Sequence, residues 1–195
     1  MGLRAAFVED HVWMNDAGER GLSIQWQPFW TKDKEGRSVH LRLYGPADYE
    51  ALGRMYDDYE PKGLECGLPP PNERVRRRWL DHLVSEFFNV LALHEGRIIG
   101  HAALALSDRC LCPEYLIFIQ KGFRNGGIGT TLSQAMKKAA EAGGCEKIVL
   151  TVRTANRRAI RVFEKVGFGF LDGIQPCRDM ALELRPTRHR RKRKG

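Results

Sequence analysis

The sequence predicts an α/β (α+β) fold in which a mixed, mostly antiparallel sheet is flanked by helices. Apolar patterns of period two and of helical period follow one another as strand, two helices, three strands, helix, strand, helix and two strands. The strand–helix–strand unit around residues 115–152 predicts a parallel right-handed crossover, whereas neighbouring strands joined by short turns are antiparallel. A chain of 195 residues suits one such domain with a short extension.

Three regions are predicted along the chain: an N-terminal extension over 1–37, a domain over 38–185 and a basic tail over 186–195. The formal net charge is +8, and six lysines or arginines lie in the tail, so the remainder carries only +2. The excess charge therefore does not predict a nucleic-acid-binding fold, although the tail could contact phosphate backbones nonspecifically.

The extension is expected to add a hairpin to the domain. Residues 22–30 alternate apolar and polar side chains, 33–36 are a turn sequence, and 38–44 read as a second strand. The tryptophans expected to cover apolar surface here are Trp13, Trp26 and Trp30.

The remaining elements follow from periodicity and end signals. Helices are predicted over 46–59, 72–87, 127–142 and 155–166, and strands over 89–93, 98–106, 111–119, 147–152, 169–172 and 178–184. Pro46 suits a first helical turn, Asn72 suits an N-cap, and Gly143 and Gly144 end the third helix. The run Arg76-Arg77-Arg78 is interpreted as a solvated helix face.

Several classes of protein are disfavoured. The best apolar stretch, residues 98–106, is shorter than the roughly 18 residues of a spanning helix, and the N-terminus lacks an apolar secretory core. The five cysteines are Cys66, Cys110, Cys112, Cys145 and Cys177. Their odd number and the lack of a CxxC pair favour reduced cysteines in a cytoplasmic protein, and no cluster has the spacing of metal ligands.

The most informative segment is a glycine-rich turn between a predicted strand and a predicted helix. The first turn of a helix presents unpaired N–H groups and a partial positive charge, and glycines let a phosphate approach that backbone. Arg124 adds a full charge, so the segment predicts a diphosphate or polyphosphate site. A P-loop would need lysine where Thr130 stands, and a Rossmann loop would need a third glycine after Gly127-Ile128-Gly129.

The pattern Arg124-x-x-Gly127-x-Gly129 resembles the [QR]-x-x-G-x-[GA] signature of the GNAT superfamily of acetyl-CoA-dependent N-acetyltransferases. A second segment, Asn156-x-x-Ala159-x-x-x-Phe163, resembles the family's N-x-x-A-x-x-x-Y signature and is followed by Gly-Phe at the family spacing. The resemblance covers about residues 39–184. It implies a sheet whose central strand pair splays apart around the cofactor.

The resemblance also implies a role for individual residues in binding acetyl-CoA, the expected co-substrate. The backbones of Ile117 and Ile119 would pair with the pantetheine arm, and the Asn156 amide would reach the pantetheine or acetyl region. The pyrophosphate would be held by the backbone N–H groups of Arg124, Asn125, Gly126, Gly127, Ile128, Gly129 and Thr130.

Acetyl transfer needs a base for the amine, a donor to the oxyanion and a proton for the leaving thiolate, whose pKa is ~8.5. Glu114 is the candidate base. It precedes Arg124 by ten residues, whereas a common family position is eleven. Because side chains alternate along a strand, this one-residue step could turn Glu114 away from the cofactor, and a bulge in the strand could restore its direction. Phe163 replaces the family's tyrosine, so Tyr115, a water or bulk solvent is left as proton donor.

The predicted reaction is direct attack by a primary amine within a ternary complex. The sequence leaves the acceptor open between a protein lysine, an N-terminus and a small-molecule amine. It is also compatible with a homodimer. Residues 67–71 and the adjoining helices would shape the acceptor pocket. The alternative is a module that senses acyl-CoA without turnover, since Phe163 cannot donate a proton and Glu114 is out of register.

Overall fold

The computed structural model describes residues 9–14, 20–107, 110–171 and 177–184. Its strands are β1 (Glu9–Met14), β2 (Arg20–Trp26), β3 (Phe29–Lys32), β4 (Ser38–Leu43), β5 (Phe87–His94), β6 (Arg97–Ser107), β7 (Cys110–Ile119), β8 (Lys147–Arg153), β9 (Gly169–Phe170) and β10 (Cys177–Glu183). Its helices are α1 (Tyr49–Asp57), α2 (Glu73–Glu86), α3 (Ile128–Ala142) and α4 (Arg157–Val166). The predicted basic tail, 186–195, lies outside the described residues.

Eight strands form one sheet in the order β3-β4-β5-β6-β7-β8-β10-β9, and β1 and β2 form a separate hairpin. Neighbours in the large sheet are antiparallel except β7 and β8, which are parallel and are connected through α3. The mixed, mostly antiparallel sheet flanked by helices is therefore confirmed.

The strand predicted over residues 22–30 is two strands. β2 ends at Trp26 and β3 begins at Phe29, because Pro28 has no N–H to donate to a ladder. β3 then pairs with β4 as predicted, with Trp30 opposite His40. Trp26 is buried in the core as expected, but Trp30 is 68% exposed and stacks on the His40 ring at 4.6 Å, and the side chain of Trp13 lies outside the described set.

Local signals set the element ends. Asn72 caps α2 as predicted, since its side chain accepts a hydrogen bond from the Val75 N–H at 3.1 Å. Pro46 opens a single 3-10 turn, and α1 proper begins only at Tyr49. Glu95 and Gly96 both have positive φ, the conformation of a tight two-residue hairpin turn between β5 and β6.

Two apolar cores lie on opposite faces of the sheet. One packs β2, α3 and α4 against the sheet and includes Leu132 and Phe163. The other packs α1 and α2 against it and includes Tyr56, Leu80 and Phe118. None of the helices in the described ranges has the length and apolarity to cross a bilayer.

Candidate functional site

A cavity of about 890 Å³ opens between β7 and β8. The two strands pair at Glu114 and Val149, and beyond that point residues 115–119 of β7 and 150–153 of β8 line opposite walls. The glycine-rich turn and the first turn of α3 close one end, and α4 forms a further wall. The splayed central pair expected of the fold is therefore present.

The hydrogen-bonding pattern of β7 determines which backbone groups face this gap. The Gln120 N–H donates to the Ile99 carbonyl at 2.8 Å, so even-numbered residues of this stretch turn their backbone groups toward β6. Backbone groups alternate along an antiparallel strand, so those of Ile117 and Ile119 point into the gap. An extended amide-bearing ligand could add to this edge like a strand.

The glycine-rich turn offers a row of unpaired donors. Within the described ranges, the N–H groups of residues 125–129 have no protein acceptor. The N–H groups at either end of the predicted set are engaged, that of Arg124 with the Lys121 carbonyl at 3.4 Å and that of Thr130 with the Gly127 carbonyl at 3.0 Å. Five consecutive amides at the start of a 15-residue helix suit an anion.

Two glycines give this turn its shape. Gly127 has φ 90, a left-handed conformation that favours glycine, and it stands directly before α3. A β-carbon at Gly129 would stand 3.9 Å from Ile119 Cγ1 and from Val162 Cγ1, which is ordinary contact. Gly129 therefore leaves open space at the cavity rather than relieving strain.

Arg124 lines the cavity, but its guanidinium is turned to backbone carbonyls. Nε donates to Ile119 at 2.7 Å and Nη2 donates to Glu60 at 2.5 Å. The same group lies 5.0 Å from the centre of the Tyr59 ring. Arg124 thus fastens the end of β7 to the segment after α1, a link between distant parts of the chain that the sequence pattern did not indicate.

Other cations line the cavity and were missed by the sequence reasoning. Arg158, Arg161 and Lys165 are exposed on α4, and Lys34 comes from the turn between β3 and β4. The three residues of α4 are spaced i, i+3 and i+7, a pattern that would have placed them on one helix face. They make this end of the cavity electropositive.

Glu114 is exposed at the end of the gap where β7 and β8 are still paired, and it is not among the cavity-lining residues. Side chains alternate along β7, so Glu114 shares a face with Leu116 and Phe118, which pack toward α1 and α2. It therefore faces the side on which residues 66–68 reach the cavity. The register of β6 and β7 shifts between the Ala105–Glu114 pair and the Ser107–Cys110 pair. This irregularity therefore lies on the N-terminal side of Glu114 in β7, and pairing from Glu114 to Ile119 is regular.

Tyr115 faces the other side of the sheet. Its hydroxyl lies 2.9 Å from Ser133 Oγ on α3, and its ring packs near Phe163 and Phe168. Burial raises the pKa of Tyr115, so the phenol stays protonated at neutral pH. Phe163 thus belongs to an apolar aromatic cluster beside the cavity.

Asn156 lines the cavity at the start of α4 and also caps that helix. Its Oδ1 accepts a hydrogen bond from the Ala159 N–H at 3.2 Å, and the Nδ2 group takes no part in this capping bond. Asparagine at this position is a local N-cap signal. Only a ligand contact, and not this capping role, was predicted for Asn156.

The segment after α1 reaches the cavity at Tyr59, Pro61 and residues 66–68. The expectation of reduced cysteines is wrong for one pair, since Cys66 and Cys177 form a disulfide with Cα atoms 6.0 Å apart. The two residues are separated by 111 positions, so no local pattern could have indicated the bond. Glu65 lies beside the disulfide and pairs with Arg153 at 3.6 Å.

Arg76 was predicted to lie on a solvated helix face, but it is buried. Its guanidinium donates to the carbonyls of Pro70 and Pro71, each at 3.0 Å, and to Asp57 at the end of α1. The prediction was wrong because the carbonyls that draw Arg76 inward belong to a segment outside its helix. Arg78 is exposed.

Residues 52–168 match the model of the Acetyltransferase (GNAT) family. Mycothiol acetyltransferase of Saccharomonospora viridis is 26% identical over 151 residues, which cover 71% of this chain and 48% of that protein. L-amino acid N-acetyltransferase AaaT of Escherichia coli is 23% identical over 136 residues, covering 67% of this chain and 82% of that protein. The chain thus spans about half the length of the mycothiol acetyltransferases that it matches.

Solved structures share the fold. The GNAT domain of S. lividans PAT superposes with a TM-score of 0.69 at 15% identity, covering 80% of this chain and 97% of that one. A phosphinothricin acetyltransferase from Sinorhizobium meliloti, solved in complex with AcCoA, gives a TM-score of 0.61 at 20% identity, covering 77% and 94%.

Proposed function

The chain belongs to the GNAT family of acetyltransferases, and we propose that it transfers an acetyl group from acetyl-CoA to a primary amine. The observation that carries the proposal is the row of five unpaired amides at residues 125–129, placed at one end of the gap between β7 and β8. A diphosphate accepting these donors would direct the rest of the cofactor along the gap.

In this proposal the pantetheine arm lies along β7, where its amides pair with the backbone groups of Ile117 and Ile119. The Nδ2 group of Asn156 donates to the arm from the opposite wall while Oδ1 keeps its capping bond. The Ile119 carbonyl, which accepts from Arg124 Nε, would keep one lone pair for the arm. No metal takes part in the proposed contacts.

We assign the removal of the amine proton to Glu114, which faces the side where residues 66–68 bound the cavity. A backbone N–H directed into the gap near Ile119 would donate to the tetrahedral oxyanion. Tyr115 stays the proposed donor to the thiolate, and its raised pKa keeps the proton available, but donation requires its hydroxyl to leave Ser133. A water in the gap is the other source of that proton.

Direct attack is favoured over an acyl-cysteine intermediate. Cys66, which lines the cavity, is bonded to Cys177, and burial raises the pKa of Cys145 to about 11. Neither cysteine offers a thiolate nucleophile at neutral pH, and Cys112, which is not disulfide-bonded, is not among the described residues that line the cavity. The reaction would therefore proceed in a ternary complex of enzyme, acetyl-CoA and amine.

The acceptor stays open between a protein lysine, an N-terminus and a small amine. A relative of this chain is an L-amino acid N-acetyltransferase and a structural neighbour is a ribosomal-protein-S18-alanine N-acetyltransferase, so the fold serves both small and protein acceptors in other chains. The second candidate function is an acyl-CoA sensor without turnover, which Phe163 favours because phenylalanine has no proton to donate at the position where the family signature has tyrosine.

Calorimetric titration with CoA tests the binding step. We expect saturable binding by the natural protein and a loss of at least about tenfold in affinity for Gly129→Val, because the added methyl groups enter the cavity between Ile119 and Val162. Gly169→Val is the control, since a β-carbon at Gly169 meets nothing within 4 Å. Equal affinities in all three proteins would reject the proposed loop.

A time course with labelled acetyl-CoA and a panel of amines then separates the two functions. Acetylated product with any amine supports the transferase. Tight CoA binding with no product across amino acids, polyamines, lysine peptides and free N-termini would reject turnover and leave the sensor.

A further inference from the structure

The turn between β3 and β4 packs directly onto the glycine-rich loop. The Lys34 N–H donates to the Gly126 carbonyl at 2.9 Å. A β-carbon at Gly126 would lie 3.2 Å from Asp33 Oδ2 and 3.4 Å from Asp33 Cβ, so glycine at 126 is what allows this approach. The turn, from the region predicted to be an extension, is therefore in contact with the proposed diphosphate site.

Asp33 holds this turn in one shape. Its buried carboxylate accepts from the N–H groups of Glu35 and Arg37, each at 2.9 Å, and from Arg37 Nε at 2.6 Å. Burial alone would raise the pKa of Asp33, but the hydrogen bonds from Arg37 and Glu35 lower it overall. Arg37 also donates to the Gly122 carbonyl at 3.2 Å and lies 4.3 Å from the centre of the Phe123 ring.

These contacts place one further cation on the loop. The Lys34 side chain crosses Gly127, where a β-carbon would lie 3.8 Å from Lys34 Cγ and 3.9 Å from Lys34 Cε. Lys34 lines the cavity, and no carboxylate oxygen in the described part of the chain lies within 4.0 Å of its Nζ. The carboxylate next to it in sequence, Asp33, is already paired with Arg37. The Lys34 charge is thus available to an anion on the loop.

We propose that Lys34 binds a phosphate group in the nucleotide half of coenzyme A, which makes the turn at residues 33–37 part of the cofactor site. The inference rests on the proposed function. CoA carries a diphosphate and a separate phosphate on its ribose. The amides of residues 125–129 and the cations of α4 face the same cavity as Lys34. The negative charge of a bound phosphate would therefore be balanced by Lys34 on one side of the loop and by the α4 cations on the other.

Titration of Lys34→Ala with CoA tests the proposal, with Lys34→Arg as the charge-retaining variant. Lys32→Ala is the control, because Lys32 is exposed on the same hairpin and does not line the cavity. We expect Lys34→Ala to weaken CoA binding about tenfold, with the difference shrinking as salt is raised, and the other two variants to bind like the natural protein.

Dephospho-CoA and phosphate-free pantetheine identify the group that Lys34 contacts. An equal loss with CoA and dephospho-CoA assigns Lys34 to the diphosphate, and a loss confined to CoA assigns it to the ribose phosphate. Unchanged CoA affinity in Lys34→Ala, or an equal loss with pantetheine, overturns the proposal. Failure of the natural protein to bind CoA at all would instead reject the proposed function.

Discussion

Glu114 and Tyr115 are neighbours on β7, yet they face opposite sides of the sheet. Tyr115 points to α3, where Ser133 and the ring of Phe163 surround it, and Glu114 points to the side of α1 and α2. An amine entering past residues 66–68 would approach from the Glu114 side. In the proposed mechanism, one strand therefore supplies a base to the acceptor on one face and a proton donor to the thiolate on the other.

Glu114→Gln is expected to slow acetyl transfer by about 10²–10³-fold, because the amide cannot take the amine proton. CoA affinity is expected to stay unchanged, since Glu114 does not line the cavity. Initial rates at saturating acetyl-CoA measure the first effect, and calorimetry measures the second. Glu146 is an exposed carboxylate directly before β8, and Glu146→Gln serves as the matched control.

A transfer rate in Glu114→Gln equal to that of the control would remove Glu114 from the mechanism. The rate of each variant at high pH adds a second readout, because an amine that has already lost its proton needs no base. The deficit of Glu114→Gln should therefore narrow as the pH approaches the pKa of the amine.

The residues that could be predicted are those whose role is local. Glycine conformation at 127 and unpaired amides at a helix start follow from a few consecutive residues, so the sequence alone indicates an anion site. Arg76 and Arg124 could not be predicted, because each bonds to carbonyls of a segment far along the chain. The same holds for Lys34, which meets the loop only through the β3–β4 hairpin.

At the scale of elements, side-chain hydrogen bonds and a disulfide hold the segment between α1 and α2 against other parts of the chain. Arg124 bonds to the carbonyl of Glu60, the disulfide joins Cys66 to the start of β10, and Arg76 bonds to the carbonyls of Pro70 and Pro71. These links fix a stretch without regular structure beside the cavity. A fixed segment positions an acceptor better than a flexible one.

Arg76→Ala is expected to lower the free energy of unfolding by about 2–4 kcal/mol, because two carbonyls and the Asp57 carboxylate lose a buried charged partner. Urea denaturation measures the change. Arg78→Ala, exposed on the same helix, should alter it by less than about 0.5 kcal/mol. Limited proteolysis within residues 60–71 should accelerate in Arg76→Ala and not in Arg78→Ala. Similar destabilisation by both variants would contradict the anchoring role.

The order of elements from β4 onward was predictable because these helices and strands carry a clear period and clear end signals, whereas β1 was not predicted. The parallel crossover followed from a helix joining two buried strands. The division of residues 22–30 into β2 and β3 was missed because the alternation continues through Pro28, and only the missing N–H breaks the ladder. The predicted strand over 169–172 is described only at Gly169–Phe170, which pairs with β10.

Across the whole molecule, a buried polar chain joins both helices on one face to the sheet. The hydroxyl of Tyr56 on α1 lies 2.6 Å from His101 Nδ1, and His101 Nε2 lies 2.9 Å from Asn89 Oδ1. Asn89 in turn donates to the Leu83 carbonyl near the end of α2 and to the Phe87 carbonyl. From sequence, His101 was visible only as a polar interruption in an apolar strand.

The partners fix the tautomer of His101. Asn89 Oδ1 can only accept, so Nε2 carries the proton and Nδ1 accepts from the Tyr56 hydroxyl. A second proton on the ring would make Nδ1 a donor, so the Tyr56 hydroxyl would lose its acceptor in a fully buried site. Burial accordingly lowers the pKa of His101 from 6.5 to about 3.

This shift makes stability depend on pH in a defined window. Below pH 6.5 the unfolded chain binds a proton at His101 and the folded chain does not, so protons favour the unfolded chain there. The stability contributed by the neutral, buried ring is therefore fully present above pH 6.5 and is lost progressively as the pH falls toward 3. The free energy of unfolding should fall by about 1.4 kcal/mol per pH unit, or about 2 kcal/mol between pH 6.5 and 5. His40, whose pKa is also lowered from 6.5 by partial burial and by the charge of Arg42, adds to the slope in the same window, whereas Asp33 and Asp48, whose pKa values are lowered from 3.8, act below it.

Urea denaturation at pH 7, 6 and 5 measures how the free energy of unfolding changes with pH. His82 is exposed, so His82→Gln is the control that should show the same change as the natural protein. His101→Phe should be less stable at pH 7, because Asn89 and Tyr56 lose their partner, but most of the slope should vanish. Since that variant could fail to fold, the His101 ring signals of the natural protein give a second test by NMR. A ring that titrates between pH 5 and 7 in the folded state would show that His101 is not kept neutral by burial, and the predicted loss of stability would have no source.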